Sequence, residues 1–557
     1  MTDALDGDIV LRGGALVDGS GAPGRTADVA VRGGKIVAIG DRLSGTTTLD
    51  ASGQVVAPGF IDIHTHYDAQ VFWDPDLTPS SFHGVTTVVA GNCGFSIAPI
   101  RPEGIETLAR TLQHVEDMSL DTLLAGVPWD EFETFAQYLD AVQRRGVALN
   151  YGCYVGHTAV RLFTMGPDAY ERAATEDELT TMADIVGEAL DAGAMGFASS
   201  WAPTHFGDHG RPVPSRVADF DELAALLEPM RNRARGVAAL LPGGVLSHDR
   251  MFELQRHIGR PFTWTALLTF AGSDYHEKVM VDHAEARASG VDVWPQVSCR
   301  PLVSQMNLAD PFTLNTFPRF AALLDAPVEQ RKAAYHDAGW RALTHEQMSG
   351  GGTLFNVNLL SVAESATRPD LIGRSVVDLA EEQGVTPLDV LLDLSLADDL
   401  TTRFTSVLAN NNPEGIASLL PRDDVLLGLA DSGAHVSQLC DACFATDLLG
   451  NWVRDRQVLT LEHAIHKLTA EPARVYGLSN RGSVEVGKAA DLVVFDPETV
   501  APGPIRRVFD FPADGERLTA DAPVGMTHTL VNGVPIRVDG QSVPEGLGRR
   551  PGMVLRA

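Results

Sequence analysis

Between residues 58 and 431 the chain alternates short apolar, β-rich runs with stretches of helical periodicity. The apolar runs fall at 58–66, 84–91, 147–155, 194–199, 236–241, 261–268, 290–297 and 425–431, and helical segments such as 176–192 and 218–235 separate several of them. Strands that are apolar along nearly their whole length must be covered on both faces, the pattern of a parallel sheet with helices outside it. Eight such units favour an α/β barrel of the TIM, (β/α)8, type over an open sheet. The stretch from about 300 to 424 is far longer than a βα connection, so part of it is expected to form an inserted lid over the barrel mouth.

The two ends read differently. Residues 1–57 consist of short alternating segments broken by glycine, such as IVLRGGALVDGSG and ADVAVRGGKIVAIGD. The same style returns in RGSVEVGKAADLVVFD and HTLVNGVPIRVDGQSV near the far end. Neither end holds strands enough for a two-layer core of its own. The expectation is one small discontinuous β-sandwich built from 1–57 together with 478–557, and a barrel domain over 58–477.

Charge narrows the function classes. Lys+Arg number 43 against 73 Asp+Glu, a net charge of −30 spread along the chain. Such a surface repels phosphate backbones and anionic lipid, which argues against nucleic acid and membranes and for a small-molecule substrate. A homo-oligomer is compatible with it. No apolar run approaches the ~18 residues of a membrane span. The opening MTDALDGDIV lacks the basic start and apolar core of a secretory leader, and five scattered cysteines do not make a disulfide framework. The cytoplasm is the expected compartment.

The chemistry concentrates in APGFIDIHTHYD, residues 57–68. Side chains two apart along a strand share a face, so His64 and His66 look the same way. At the C-terminal end of a barrel strand that face is the mouth, where active sites of such barrels lie. Two neutral imidazoles this close are a ready pair for zinc or a similar ion. Asp431 follows the apolar VLLGLA at the end of the eighth run. A carboxylate there can exchange protons with water that a metal has acidified.

PGFID-HTH, the aspartate of Gly428-Leu429-Ala430-Asp431, and the C-terminal AIHKLTAEPARVYGL…GSVEVGKAADLVVFD together resemble the amidohydrolase superfamily. Within it, GVTTVVAGNCGFSIAP (84–99) is similar to the D-aminoacylase, or N-acyl-D-amino-acid deacylase, group, and GFASSWAPTHFGDHGRPVPS (196–215) resembles a longer branch of that group. The resemblance implies a metal held by His64 and His66, with Cys93 as a further ligand where other amidohydrolases use a carboxylated lysine. It also implies that Asp431 binds the metal and shuttles the proton between water and leaving group. A thiolate beside a divalent cation is deprotonated and binds strongly, which agrees. The chain holds only five lysines, Lys35, Lys278, Lys332, Lys467 and Lys488, none in an expected barrel strand, so a lysine-carbamate bridge is not expected.

The sequence departs from the group at the ends of strands five and six, where D-aminoacylases carry metal-binding histidines. Here those ends read Val237-Ala238-Ala239-Leu240-Leu241-Pro242 and Thr263-Trp264-Thr265-Ala266-Leu267-Leu268. The nearby His248, His257, His276 and His283 fall on helices or loops at no matching spacing. The expectation is therefore one divalent ion, zinc, on His64, His66, Cys93 and Asp431. His157 and His205, after strands three and four, are candidates to polarise a scissile carbonyl. His435 in DSGAH can reach the same mouth, and Arg300 after strand seven can pair with a substrate carboxylate. The activity so implied is metal-dependent hydrolysis of a non-peptide C–N bond, namely deacylation of an N-acyl-D-amino acid, with Asp431 as general base and then acid. Hydrolysis of a cyclic amide, imide or carbamate on the same barrel, and a non-catalytic metal-binding barrel, are the alternatives.

Overall fold

The computed structural model describes residues 7–309, 311–324, 326–349, 356–543 and 550–556 of the chain. Each of the eight apolar runs contains a strand: β1 (Phe60–Asp62), β2 (Val85–Ala90), β3 (Asn150–Cys153, continued by Val155–Gly156), β4 (Gly196–Ser200), β5 (Val237–Leu241), β6 (Phe262–Trp264), β7 (Val293–Val297) and β8 (Leu426–Leu427). β1, β2 and β3 pair in parallel, and from the continuation of β3 the parallel order runs on through β4, β5, β6 and β7 to β8. The ends of the first and last strands meet at a parallel bridge between Thr65 and Ser432, where the His66 N–H donates to the Ser432 carbonyl at 2.7 Å. All six residues of β2, VTTVVA, are buried, as a strand covered on both faces must be.

Local chemistry explains where the helices between strands begin and end. Thr175 and Glu178 form a reciprocal capping box at the start of the Glu176–Ala192 helix, and Gly193, at φ 109°, ends it in a conformation that needs no Cβ. Gly59 marks the passage from the terminal sheet into the barrel. A Cβ there would lie 2.2 Å from the Thr86 side chain, so only glycine lets the two chains cross.

The termini share one nine-stranded sheet. Leu492–Phe495 from the C-terminal part pairs antiparallel with Val55–Pro58, which in turn lies beside Gly7–Leu16. One face of this sheet buries Leu11, Val29, Val56, Leu492 and Leu530, and the other joins Ala57, Phe495 and Met526 to the barrel core around Phe60 and Val85. All nine strands belong to one hydrogen-bonded sheet, with Gly45–Asp50 branching off its path beside Gly7–Leu16. Two parts of 478–557 leave this sheet altogether. The hairpin Ile505–Phe511/Gly515–Ala520 reaches the mouth, where the Leu518 N–H donates to the Val436 carbonyl. Residues 550–556 run back along β3, with Tyr151 bonded on either side to Met553 and Leu555. Residues 1–6, 544–549 and 557 of the expected sandwich, and 310, 325 and 350–355 of the expected lid, lie outside the described residues.

The segment after β7 is a folded unit with its own core. Leu302–Met306, Arg403–Ala409 and Ser361–Glu364 form a three-stranded antiparallel sheet. Helices pack on it around Leu308, Phe320, Tyr335, Leu391 and Phe404.

Candidate metal centre

Asp62 begins the site by holding two strand ends together: its carboxylate accepts from the His64 N–H at 3.2 Å and from the Ser432 hydroxyl at 3.1 Å. His64 and His66 follow on one face of the extended chain, with their Nε2 atoms 3.4 Å apart. Asn92 brings in the third group. Its side-chain amide donates to the carbonyls of Ile63, Thr65 and Val89, at 3.3, 3.3 and 2.9 Å, and so latches the loop after β2 onto the end of β1. Cys93 then sits with Sγ 3.7 Å from His64 Nε2 and 3.9 Å from His66 Nε2. From the end of β8, Asp431 Oδ1 lies 3.0 Å from His64 Nε2 and 3.7 Å from His66 Nε2.

Four of the residues at this mouth, Cys93, Leu429, Asp431 and His435, have left-handed backbones at φ 57°, 57°, 44° and 47°. None is glycine, and such conformations cost on the order of 1 kcal/mol or more each. The surrounding hydrogen bonds hold them there, as is usual where side chains must be aimed.

The donor set fits zinc. Tetrahedral bonds of ~2.0–2.1 Å to nitrogen and ~2.3 Å to sulfur give ligand–ligand edges of ~3.3–3.6 Å, and the separations above bracket that range. Among the described residues, His64, His66 and Cys93 form a group of three such donors within 4.8 Å of one another, and Asp431 Oδ1 lies within 3.7 Å of both histidine Nε2 atoms. The other ring nitrogens are held from behind. His64 Nδ1 meets Gln296 Oε1 at 2.8 Å and Thr265 Oγ1 at 3.1 Å, and His66 Nδ1 meets Glu116 Oε1 at 2.9 Å. Partners of this kind fix the tautomer and leave the Nε2 lone pairs for a metal.

The charges are shaped by burial and by one another. Burial alone would depress His64, but Asp431 outweighs it and lifts the imidazole to about 10. His66 is likewise raised against burial by Glu116, Asp431 and Cys93. Burial would raise Cys93 and Asp431, yet the two histidines draw the thiol below its ordinary value and the carboxyl well below its own.

A cavity of about 200 Å³ opens over the cluster. His66, Cys93, Glu116, His205, Asp431 and His435 line it together with Phe95, Leu241, Leu268, Leu302 and Leu429. Of the expected substrate contacts, His205 and His435 face this cavity. His205 Nδ1 lies 2.8 Å from the Ser200 hydroxyl, and burial pushes its pKa down to about 3.

His157 does not face it. Its two nitrogens are engaged by Ser199 at 2.7 Å and by Glu222 at 2.8 Å, and Glu222 also binds the buried Arg161. The ring is thus a strut between the ends of β3 and β4 and the Phe220–Arg233 helix. Arg300 is likewise committed, to Asp441 at 2.7 Å and Asp447 at 3.1 Å, so it has no fork left for a substrate carboxylate. His248, His257, His276 and His283 lie on the helices His248–Ile258 and Tyr275–Ala288, away from this cavity. Where strands five and six would bring histidines, Leu241, Thr265 and Ala266 line the mouth. Glu116 and Gln296 are the residues that sequence reasoning passed over. Gln296 carried one signal, a polar side chain in the otherwise apolar VWPQV. Glu116, some fifty residues from His66 on a helix end, carried none.

An amidohydrolase family model matches residues 47–537. The chain belongs to the amidohydrolase family. It is 30% identical over 553 residues to a D-aminoacylase of Alcaligenes xylosoxydans xylosoxydans, covering 96% of each chain. Among solved structures it is similar to a D-aminoacylase described as having a binuclear metal center, with TM-score 0.69 and 27% identity over 99% of this chain and 100% of that one. It is similar also to an N-acyl-D-glutamate deacylase of Bordetella bronchiseptica complexed with zinc and a phosphonate inhibitor, with TM-score 0.68 and 27% identity over 99% of both. The fold is that of the TIM-barrel amidohydrolases, and the protein is a metal-dependent hydrolase of C–N bonds other than peptide bonds.

Proposed function

We propose that this amidohydrolase removes the acyl group from N-acyl-D-amino acids. The observation that carries the reading is the clustering of His64, His66 and Cys93, with Asp431 against the two histidines, beside a small, largely apolar cavity. We further propose that these four residues hold one divalent ion, zinc, since a thiolate–imidazole–carboxylate set suits it better than magnesium or manganese. Zinc in such a site acidifies water and polarises the carbonyl. Asp431, ionised and 14% exposed toward the cavity, takes the proton of the attacking water and passes it to the leaving amine. His205, held neutral by burial, and His435 are placed to donate to or orient the carbonyl oxygen. The apolar wall of Phe95, Leu241, Leu268, Leu302 and Leu429 receives uncharged substrate atoms and excludes water.

For the architecture, the reading is that the Thr65–Ser432 bridge closes the eight strands into one barrel, and that 7–57 with 478–504 and 521–543 forms a β-domain beside it. No described helix is long and apolar enough to cross a membrane. All five cysteines are unpaired and buried, which suits a reducing cytoplasm. The deciding experiment is a screen of zinc-loaded protein against paired N-acyl-D- and N-acyl-L-amino acids. Turnover of the D series supports the proposal. Turnover of a cyclic imide or carbamate with none of either series would replace it.

A further inference from the structure

The unit inserted after β7 supplies none of the four converging side chains, yet it walls a second cavity, of about 770 Å³. This outer cavity lies against the mouth. Glu116 and His435 line the inner space while their near neighbours Asp117 and Ser437 line the outer one. The rim between is laced by the Val436 N–H on the Glu116 carbonyl at 3.1 Å and the Ser437 N–H on Asp117 Oδ2 at 2.9 Å. From the inserted unit, Leu302 reaches the inner space and Met306 the outer.

Three arginines line the outer cavity, and they are not equivalent. Arg110 is paired with Glu106, and Arg403 with Glu516. Arg331, on the Val328–His336 helix, is 7% exposed, and among the described residues it meets no carboxylate. Its Nε donates to the Leu323 carbonyl at 3.1 Å and its Nη2 to the Leu324 carbonyl. Two neutral carbonyls orient a guanidinium without neutralising it, and a buried charge left in that state is costly. The remaining nitrogen, Nη1, has no hydrogen-bond partner among the described residues. An anionic oxygen entering the cavity would find a pre-oriented, charge-assisted donor. The carboxylates already there are engaged by Arg110, Arg403 and the Ser437 N–H.

We propose that the outer cavity is a subsite for a carboxylate carried several bonds away from the scissile amide, with Arg331 as the residue that holds it. The proposal rests on the amide-hydrolase reading above. It gives the inserted unit a role in choosing substrates: the uncharged part lies in the inner cavity and the anionic end in the outer one.

The test uses the full-length, zinc-loaded protein and an Arg331→Gln variant. Glutamine keeps an N–H donor for the loop carbonyls and removes the charge. Two substrate pairs separate the possible origins of the carboxylate: N-acetyl-D-glutamate against N-acetyl-D-glutamine, and N-glutaryl-D-leucine against N-pentanoyl-D-leucine. In the unaltered protein the acidic member of at least one pair should have a KM about 10-fold lower, the scale of one charge-assisted hydrogen bond. Arg331→Gln should erase that advantage, and the pair that responds tells which half of the substrate reaches Arg331. No acidic preference in either pair, or equal effects of the variant on both members, overturns the proposal. If none of the four is hydrolysed, the amide-hydrolase reading is what has failed. The subsite is then decided by calorimetric titration with glutarate: binding that Arg331→Gln abolishes supports it, and no binding to the unaltered protein overturns it.

Discussion

Glu116 offers the most discriminating perturbation of the metal centre, because it touches the proposed ion only through His66. Its Oε1 lies 2.9 Å from His66 Nδ1, and the two side chains are 5% and 6% exposed, so solvent screens the contact little. A hydrogen bond to a charged group in such a place is worth ~1.5–3 kcal/mol. At ~1.4 kcal/mol per factor of ten, removing it should weaken the ion by ~10- to 100-fold, the range usual for partners that orient a metal-binding histidine. Glu116→Gln keeps an acceptor at the same place but loses the charge, so it should fall near the lower end, and Glu116→Ala near the upper. Metal affinity is measured by competition with a chromophoric chelator, alongside a thermal melt of each metal-loaded variant to establish that it is folded. A folded Glu116→Ala protein that holds zinc within twofold of the unaltered affinity would refute the reasoning. It would mean that His66 is positioned by the backbone of the β1 end alone.

Three further outcomes are expected. Asp431→Asn should lower turnover by at least ~100-fold, the scale of a lost general base, and a near-normal rate in steady-state assays would contradict the proposed proton transfer. Elemental analysis should find one tightly held zinc per chain and a marked loss in Cys93→Ala; two tightly held equivalents, or full occupancy without the thiol, would show the ligand assignment to be mistaken. His83 gives a pH signature away from the site: burial, with Arg537 and Arg300 adding to it, holds its pKa at about 3 against 6.5 for a free histidine. The unfolded chain therefore binds this proton first, and stability that is full above pH ~6.5 is lost as the pH falls toward 3, by up to ~1.4 kcal/mol per unit. Between pH 7.5 and 5 this amounts to ~2 kcal/mol, and urea denaturation of His83→Asn should show a shallower pH slope by that amount.

The parts of this molecule that could be read from the chain are those governed by neighbours in sequence. Continuous apolar runs such as VTTVVA specify strands buried on both faces, Thr175 and Glu178 announce a helix start, and the spacing of His64 and His66 places both imidazoles on one face of an extended segment. Each depends on a periodicity or a cap that acts within a few residues. Asn92 belongs here in part: its position before Cys93 was visible, although its latch onto the carbonyls of Ile63 and Thr65 was not. What needed the folded chain is whatever depends on which distant side chain arrives first. Arg300 and His157 carry suitable chemistry for substrate, but Asp441, Asp447 and Glu222 claim them, because buried charges and ring nitrogens take the nearest partner. The same competition brought Glu116 to His66 and Gln296 to His64 across separations that no local pattern encodes. It also left Arg331 facing a cavity, its guanidinium bonded among the described residues to backbone carbonyls alone. Spacing along the chain names the groups able to do chemistry, and packing in three dimensions selects which of them remain available for it.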